Sequence, residues 1–349
     1  MSKILFIGDL RSHTRSSQRY RALREVGHYV NGLSFAALST PADGGHRTLL
    51  QRVRHRLGLH PDTESINESI ISLAGKLSPD VLWVEKALCL RPSTLRTVRA
   101  RQPATRLVFN SDDDMFVRHN QSVWFRRCLE LYDLVVTNKS HNASAQELPA
   151  MGARRVVFIP KTFDPHTHRP IPVTASDKRR LGGDVGFIGT FERERAESLL
   201  ELARRGICVR VWGHGWEAWK RRHANLQVEG RGVLGEDYVR SICATRINLG
   251  FLRRKNRDLH SDRSVEVPAS GGFLLGERTS EHLQLFHEGV EAAFFGGIDE
   301  LADKIHYYLA HEDERRAVAS AGRRRCLADD YSHHSALRRM MLLAEEPAA

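Results

Sequence analysis

"DVGFIGTF" (184–191) reads as a buried strand that stops at a glycine, and "ERERAESLLELARRG" (192–206) follows it as an amphipathic helix. The chain opens the same way. "KILFIG" (3–8) is a short apolar run ending in glycine, and after a polar loop "SQRYRALREVG" (17–27) has a helical pattern. Between and after these units lie further strand-like runs: "DVLWVE" (80–85), "RLVFN" (106–110), "DLVVTN" (133–138) and "RVVFIP" (155–160), then "ICVRVWG" (207–213), "RINLGFL" (246–252), "GGFLLG" (271–276) and "EAAFFGG" (291–297). Short apolar runs alternating with helical patterns mark parallel, doubly wound sheets. At 349 residues the chain exceeds one typical domain. The predicted fold class is α/β, with two doubly wound Rossmann-like domains facing an interdomain cleft, because open parallel sheets bind ligands at the carboxyl ends of their strands. The expected division is 1–160, a linker over 161–183 rich in proline and turn residues, 184–330, and a terminal helix over 331–349 whose apolar stripe crosses back to the first domain.

Composition is that of a globular protein, 41% hydrophobic and 27% charged. No run reaches the roughly 18 apolar residues of a membrane span, and "MSKILFIGDL" lacks the features of a signal peptide. A cytoplasmic location is expected. Five scattered cysteines without CxxC pairing predict reduced thiols and no structural zinc. Lys and Arg number 53 against 42 Asp and Glu, a net charge of +11. Such an excess suits phosphorylated ligands, an anionic membrane face or nucleic acid. Solvated arginines on helix faces account for any single cluster equally well, and the absence of RNA-binding signatures argues against nucleic acid.

Several stretches carry candidate chemistry. Gly189 and Thr190 end a strand and open a helix whose first backbone N–H groups are free. Arg193 and Arg195 sit in that helix's first turn, where positive charge opposes the dipole and is relieved by an anion. A plain strand-turn-helix with surface arginines competes with this reading. In "DRSVEVPASGGFLL" (262–275) a lone acid, Glu266, lies in an apolar helix with Arg263 three residues before it and Gly271-Gly272 after it. A carboxylate there can take the two hydroxyls of a ribose, and the glycines allow close approach; a Glu–Arg helix pair is the alternative. "FNSDDDMF" (109–116) places Asp112, Asp113 and Asp114 after a strand, as base, hydroxyl-orienting group or metal ligand, with helix capping explaining at least one of them. Lys86, in "WVEKAL", contacts a phosphate or pairs internally with Asp112 or Asp113. His214 and Trp216 in "VWGHGW" can flank a nucleobase, though a core role suits Trp216 better.

Taken in order, these stretches resemble the group-1 GT-B glycosyltransferases, in particular the CgeB-like (spore maturation protein-like) branch. "RSVEVPASGGFLL" is similar to that family's Arg-x-x-Glu-x-x-x-x-Gly-Gly donor segment, and "FIGTFERERAESL", "VWGHGW", "GEDYVRSICATRINLGFL" and "YYLAHEDERRAVASAGRRRCL" fit its second domain in order and spacing. The resemblance implies a nucleotide-sugar substrate held by the second domain. Glu266 would take the ribose, and Gly189, Thr190, Arg195 and Arg263 would surround the diphosphate. Asp258 stands where many relatives carry a longer acid near the donor sugar, with His260 or Ser261 as substitutes. Asp112 or Asp113 would act on an acceptor hydroxyl bound by the first domain: a glycan, a lipid-linked, protein or small-molecule acceptor. The expected enzyme is a glycosyltransferase, metal-independent and retaining, with no cofactor. A peripheral contact with the inner membrane face is a further reading. Asp112-Asp113-Asp114 formally contains a metal-binding DxD pattern, set aside because such enzymes use a single nucleotide-binding domain. The alternatives are a nucleotide-sugar epimerase or hydrolase on the same scaffold, and a non-enzymatic basic protein binding nucleic acid or anionic membrane.

Overall fold

The computed structural model describes residues 1–36 and 57–346. The chain divides into two compact units, one drawn from Met1–Pro160 and His333–Ala349, the other from Lys161–Ser332. Each holds, among the described residues, a six-stranded sheet in which every pairing is parallel. The α/β doubly wound expectation holds in both.

In the first unit the strands are β1 (Lys3–Gly8), β2 (Tyr29–Ser34), β3 (Val81–Glu85), β4 (Arg106–Ser111), β5 (Leu134–Thr137) and β6 (Val156–Phe158), in the order β2-β1-β3-β4-β5-β6. Side chains of β1 alternate between two cores. Ile4 and Phe6 pack with Trp83 and Val108 on one face, and Leu5 and Ile7 pack with Leu82, Val84 and Phe109 on the other. Both faces are covered, so β1 is apolar after Lys3 instead of alternating with polar residues. The helix His333–Glu345 covers the first face with Leu337, Met340 and Met341 and lies against the helix Arg15–Glu25.

The second unit has β7 (Gly183–Ile188), β8 (Val209–Trp212), β9 (Leu226–Val228), β10 (Thr245–Gly250), β11 (Leu274–Glu277) and β12 (Ala293–Phe295), ordered β12-β11-β10-β7-β8-β9. That is the strand order of dinucleotide-binding folds. The segment after Pro160 is built into this unit: Phe163 bridges to Ser332, and Thr174 and Asp177 cap the helix Ala175–Leu181 reciprocally. In each sheet the strand order reverses once, between β1 and β3 and between β7 and β10. At such a point the loops part and leave room for a ligand. Among the described residues no helix is long and apolar enough to cross a membrane, and all five cysteines are free thiols.

Candidate functional site

At the reversal point of the second unit, β7 leads into Gly189 and β10 runs on into Phe251 and Leu252. A Cβ on Gly213 would lie 1.9 Å from the Gly189 carbonyl oxygen, so the tips of β7 and β8 touch backbone to backbone. Trp216, fully buried, donates its indole N–H to the same oxygen at 2.8 Å. Its role is in the core, whereas His214 is exposed in the same loop.

The helix Arg193–Arg204 starts directly after this tip, and its Arg195 is 3% exposed. Arg195 donates to the carbonyls of Leu252 (3.2 Å), Thr190 (3.3 Å) and Phe251 (3.4 Å), spanning the gap between β7 and β10. Its carboxylate neighbour Glu192 is 3.9 Å away. Burial, then the nearby Arg263, pull its pKa down to about 10. Arg263 comes from the helix Asp262–Ala269, and both guanidiniums lie over the Phe187 ring, at 5.7 and 6.0 Å. Among the described residues Arg263 makes no hydrogen bond or ion pair, and its buried Nε has no acceptor. Two cations of one sign, one of them deeply buried, therefore converge with little neutralising charge. Such an arrangement is stabilised by an anion.

Asp258 lines a cavity of about 580 Å³ together with Arg195 and Glu277. Its Oδ1 accepts from Asn256 at 2.8 Å. Glu277, absent from the residues expected above, closes β11; burial raises its pKa while the Leu252 N–H bonds it at 2.7 Å. Only its place as a lone acid after an apolar strand could have marked it.

Glu266 is 6% exposed. Tyr238 donates to its Oε2 at 2.5 Å, and His168 lies 3.6 Å from Oε1. Burial, then the adjacent carboxylate, push the Tyr238 phenol well above its usual pKa, so it remains a donor. Neither Tyr238 nor His168 was anticipated, because their partner lies far off in sequence.

Three expected residues are not brought to this tip in a ligand-facing role. His260 is 1% exposed with both ring nitrogens used: Nε2 accepts from the Lys161 N–H at 2.8 Å, and Nδ1 bonds Glu281. Nδ1 therefore carries the proton, and the ring anchors the strand-to-helix loop instead of replacing an acid. Ser261 caps the helix Asp262–Ala269, with its N–H bonded to Ser264 Oγ at 2.9 Å. Gly271, at φ +79°, precedes β11 at the opposite end of the sheet from Gly189. Its conformation turns the chain, away from the β7 tip.

In the first unit the acids after β4 have cationic partners. Asp112 Oδ2 lies 2.7 Å from Arg19 Nη2, and Asn138 donates to Oδ1 at 2.7 Å. Arg19 also grips Glu85, the last residue of β3, at 2.6 Å, while Trp83 and Asn110 donate to that carboxylate at 2.8 and 3.0 Å. Asp113 pairs with Lys86 at 2.5 Å, and both are partly exposed. Lys86 has φ +41°, a left-handed backbone that costs about 1 kcal/mol in a non-glycine residue and is held by its N–H bond to the Asn110 carbonyl. Asp114 turns away into the interior, where Asn142 donates to it and to Glu147, each at 2.8 Å. Ligand atoms of Asp114, His141 and Glu147 lie within 4.8 Å of one another, but the Asn142 amide already bridges the two carboxylates. Asp112 and Asp114 thus face different partners and do not form the paired DxD arrangement.

The sheet order, the reversal-point arginines and the paired units define a GT-B fold. Residues 193–342 match the model of a glycosyl transferase-like family. That match and that fold make the chain similar to glycosyltransferases. Sucrose-phosphate synthase from Thermosynechococcus elongatus superposes with a TM-score of 0.65 at 13% identity, over 99% of this chain and 100% of that one. Anabaena HepE in complex with UDP-glucose gives 0.64 at 12%, over 98% and 99%. A putative UDP-N-acetylglucosamine 2-epimerase from Listeria monocytogenes gives 0.59 at 13%, over 97% and 94%. At these identities the likeness is one of fold. No curated protein matches the sequence significantly.

Proposed function

We propose that the protein transfers a sugar from a nucleoside diphosphate donor to an acceptor hydroxyl. The observation that carries this reading is the Arg195–Arg263 pair at the tip of β7, positive and largely unneutralised. A diphosphate beside a helix N-terminus is the ligand such a pair binds. In the reaction the anomeric C–O bond breaks and its electron pair leaves on the diphosphate. The acceptor oxygen bonds to the same carbon, and its proton passes to a base. Guanidiniums and backbone N–H groups stabilise the leaving charge, which supports chemistry without a metal. Gly189 and Thr190 bring the backbone to the phosphates, Glu266 oriented by Tyr238 takes the ribose diol, His214 flanks the base, and Asp258 meets the sugar. On the acceptor side, Asp112 is committed to Arg19, so Asp113 with Lys86 is the better candidate base. Retention of configuration and the CgeB-like branch are the finer readings carried from the motif resemblance. The acceptor is a glycan, a lipid-linked species, a protein or a small molecule, and a cytoplasmic enzyme touching the membrane edge fits the basic charge.

A thermal-shift panel of nucleoside diphosphates and nucleotide sugars tests the donor, with uridine nucleotides first because HepE was solved with UDP-glucose. A rise in melting temperature that Arg263→Ala and Glu266→Ala remove supports the reading; no stabilisation by any nucleotide overturns it. Donor consumption without an acceptor would instead indicate an epimerase or hydrolase. Turnover should survive a chelator, and a loss restored by manganese would overturn the metal-free mechanism.

A further inference from the structure

The second unit has another basic cavity, at the other end of its sheet. It encloses about 480 Å³ beneath the starts of β10 and β11, where Gly271 and Gly272 turn into the sheet. That volume suits a small organic ligand. Five cations line it, Lys178, Arg246, Arg315, Arg316 and Arg323, against one carboxylate, Glu312. Glu312 is already shared by Arg246 (2.8 Å), Arg315 (2.7 Å) and Arg316 (2.8 Å). Arg246 has a second partner in Asp184, at 3.1 Å. That leaves the side chains of Arg323 and Lys178 with no hydrogen bond or ion pair among the described residues.

The polar atoms in the wall point the same way. Ser270, 1% exposed, has an Oγ with no partner. Arg315, 7% exposed, and Arg323 each have a buried Nε with no acceptor. A protein rarely leaves three buried donors unmet in one cavity unless something else meets them. Arg315, Ala319 and Arg323 lie at i, i+4 and i+8 of the helix Glu312–Ala328, so the two arginines project from one face. Apolar walls from Pro170, Ile171 and Phe273 complete the cavity.

We propose that this cavity is a second ligand site, for a phosphate monoester with a small apolar body. Guanidinium groups and a hydroxyl donor match the oxygens of a dianionic phosphate, and the apolar walls take the organic part. The site is separate from the donor residues. It meets the C-terminal end of the helix Asp262–Ala269, about 12 Å along the axis from the end bearing Arg263.

The test is calorimetric titration of the full chain with phenyl phosphate and with inorganic phosphate, each in the presence of excess UDP. Wild type should bind phenyl phosphate, and Arg323→Gln should weaken it roughly tenfold. Ser270→Ala should weaken it less while leaving the melting temperature unchanged, since its hydroxyl has no partner to lose. Arg263→Gln should leave this affinity intact, which separates the site from the donor reading whether or not UDP binds. No binding by wild type, or equal binding by a folded Arg323→Gln, would overturn the proposal. Vesicles of phosphatidylcholine with and without phosphatidic acid identify the source. Binding that requires phosphatidic acid and Arg323 assigns the phosphate to a lipid headgroup; binding of phenyl phosphate alone assigns it to a free metabolite.

Discussion

Arg19 and Arg195 occupy matching places in the two units. Each lies on the helix after the first strand of its sheet, and each reaches across the point where strand order reverses. Their surroundings differ. Arg19 meets two carboxylates, Glu85 and Asp112, at 2.6 and 2.7 Å. Burial alone would lower its pKa, but those two charges outweigh it and raise the pKa above the ordinary value. Arg195 meets carbonyl oxygens, a second arginine and, at the longer distance of 3.9 Å, Glu192, and its pKa falls to about 10. One architecture therefore carries a closed cluster of one cation and two carboxylates in the first unit and an open positive site in the second. A charge settled internally holds a fold together, and a charge left unsettled is available to a ligand.

The sharpest way to break this contrast is to unbalance the first unit. Glu85→Ala removes one of the two partners of a buried cation and strands the Trp83 and Asn110 donors, and it should cost about 3–5 kcal/mol in denaturant unfolding. A loss below about 1 kcal/mol would show that Arg19 is not held as described.

The second test uses pH. His282, behind the helix Asp262–Ala269, bonds Ser264 Oγ at 2.6 Å and stacks on Phe294. Burial pushes its pKa down to about 4. Between that value and the ordinary 6.5 the unfolded chain binds the extra proton. Stability from the neutral ring is therefore complete above about pH 6.5 and is lost as pH falls toward 4, by about 3 kcal/mol. Thermal melts across that window should show the loss, and a folded His282→Gln should flatten it.

The third concerns the open site. Arg263→Ala should lower nucleoside diphosphate affinity by about 10–100-fold with under about 1 kcal/mol of stability lost, because Arg263 gives up only its contact with the Phe187 ring and no hydrogen bond or ion pair. A drop in stability with unchanged nucleotide affinity would reverse its role. The smallest effect is expected for Asp113→Asn: under about 1 kcal/mol of stability, since its pair with Lys86 is partly exposed, but a loss of turnover with kcat falling more than KM.

Much of the fold was readable from residues near one another. Strands β1 and β3 are nearly continuous apolar runs because both their faces are covered, and such runs stand out in a sequence. Edge strands β2 and β9 do not. "YVNGLS" is broken by Asn31-Gly32, and "LQV" has three residues. The placing of candidate residues was legible where one turn of helix or one strand tip holds them, as with Arg195 and Arg263. It was illegible where the partner comes from elsewhere. His260 looked like a free imidazole beside a sugar site until Lys161 and Glu281, 99 and 21 residues away, took both its nitrogens. Gly271 looked like part of the donor loop because it follows Glu266 closely, yet the intervening helix carries it to the far end of the sheet.

The helix His333–Glu345 supplies Leu337, Met340 and Met341 to a core whose other walls are built by the first strands. On a ribosome those strands emerge before that helix, which follows all of Lys161–Ser332. The later unit can thus finish folding while the earlier one still exposes Phe6 and Trp83, so chaperone dependence and aggregation during synthesis should track the N-terminal half.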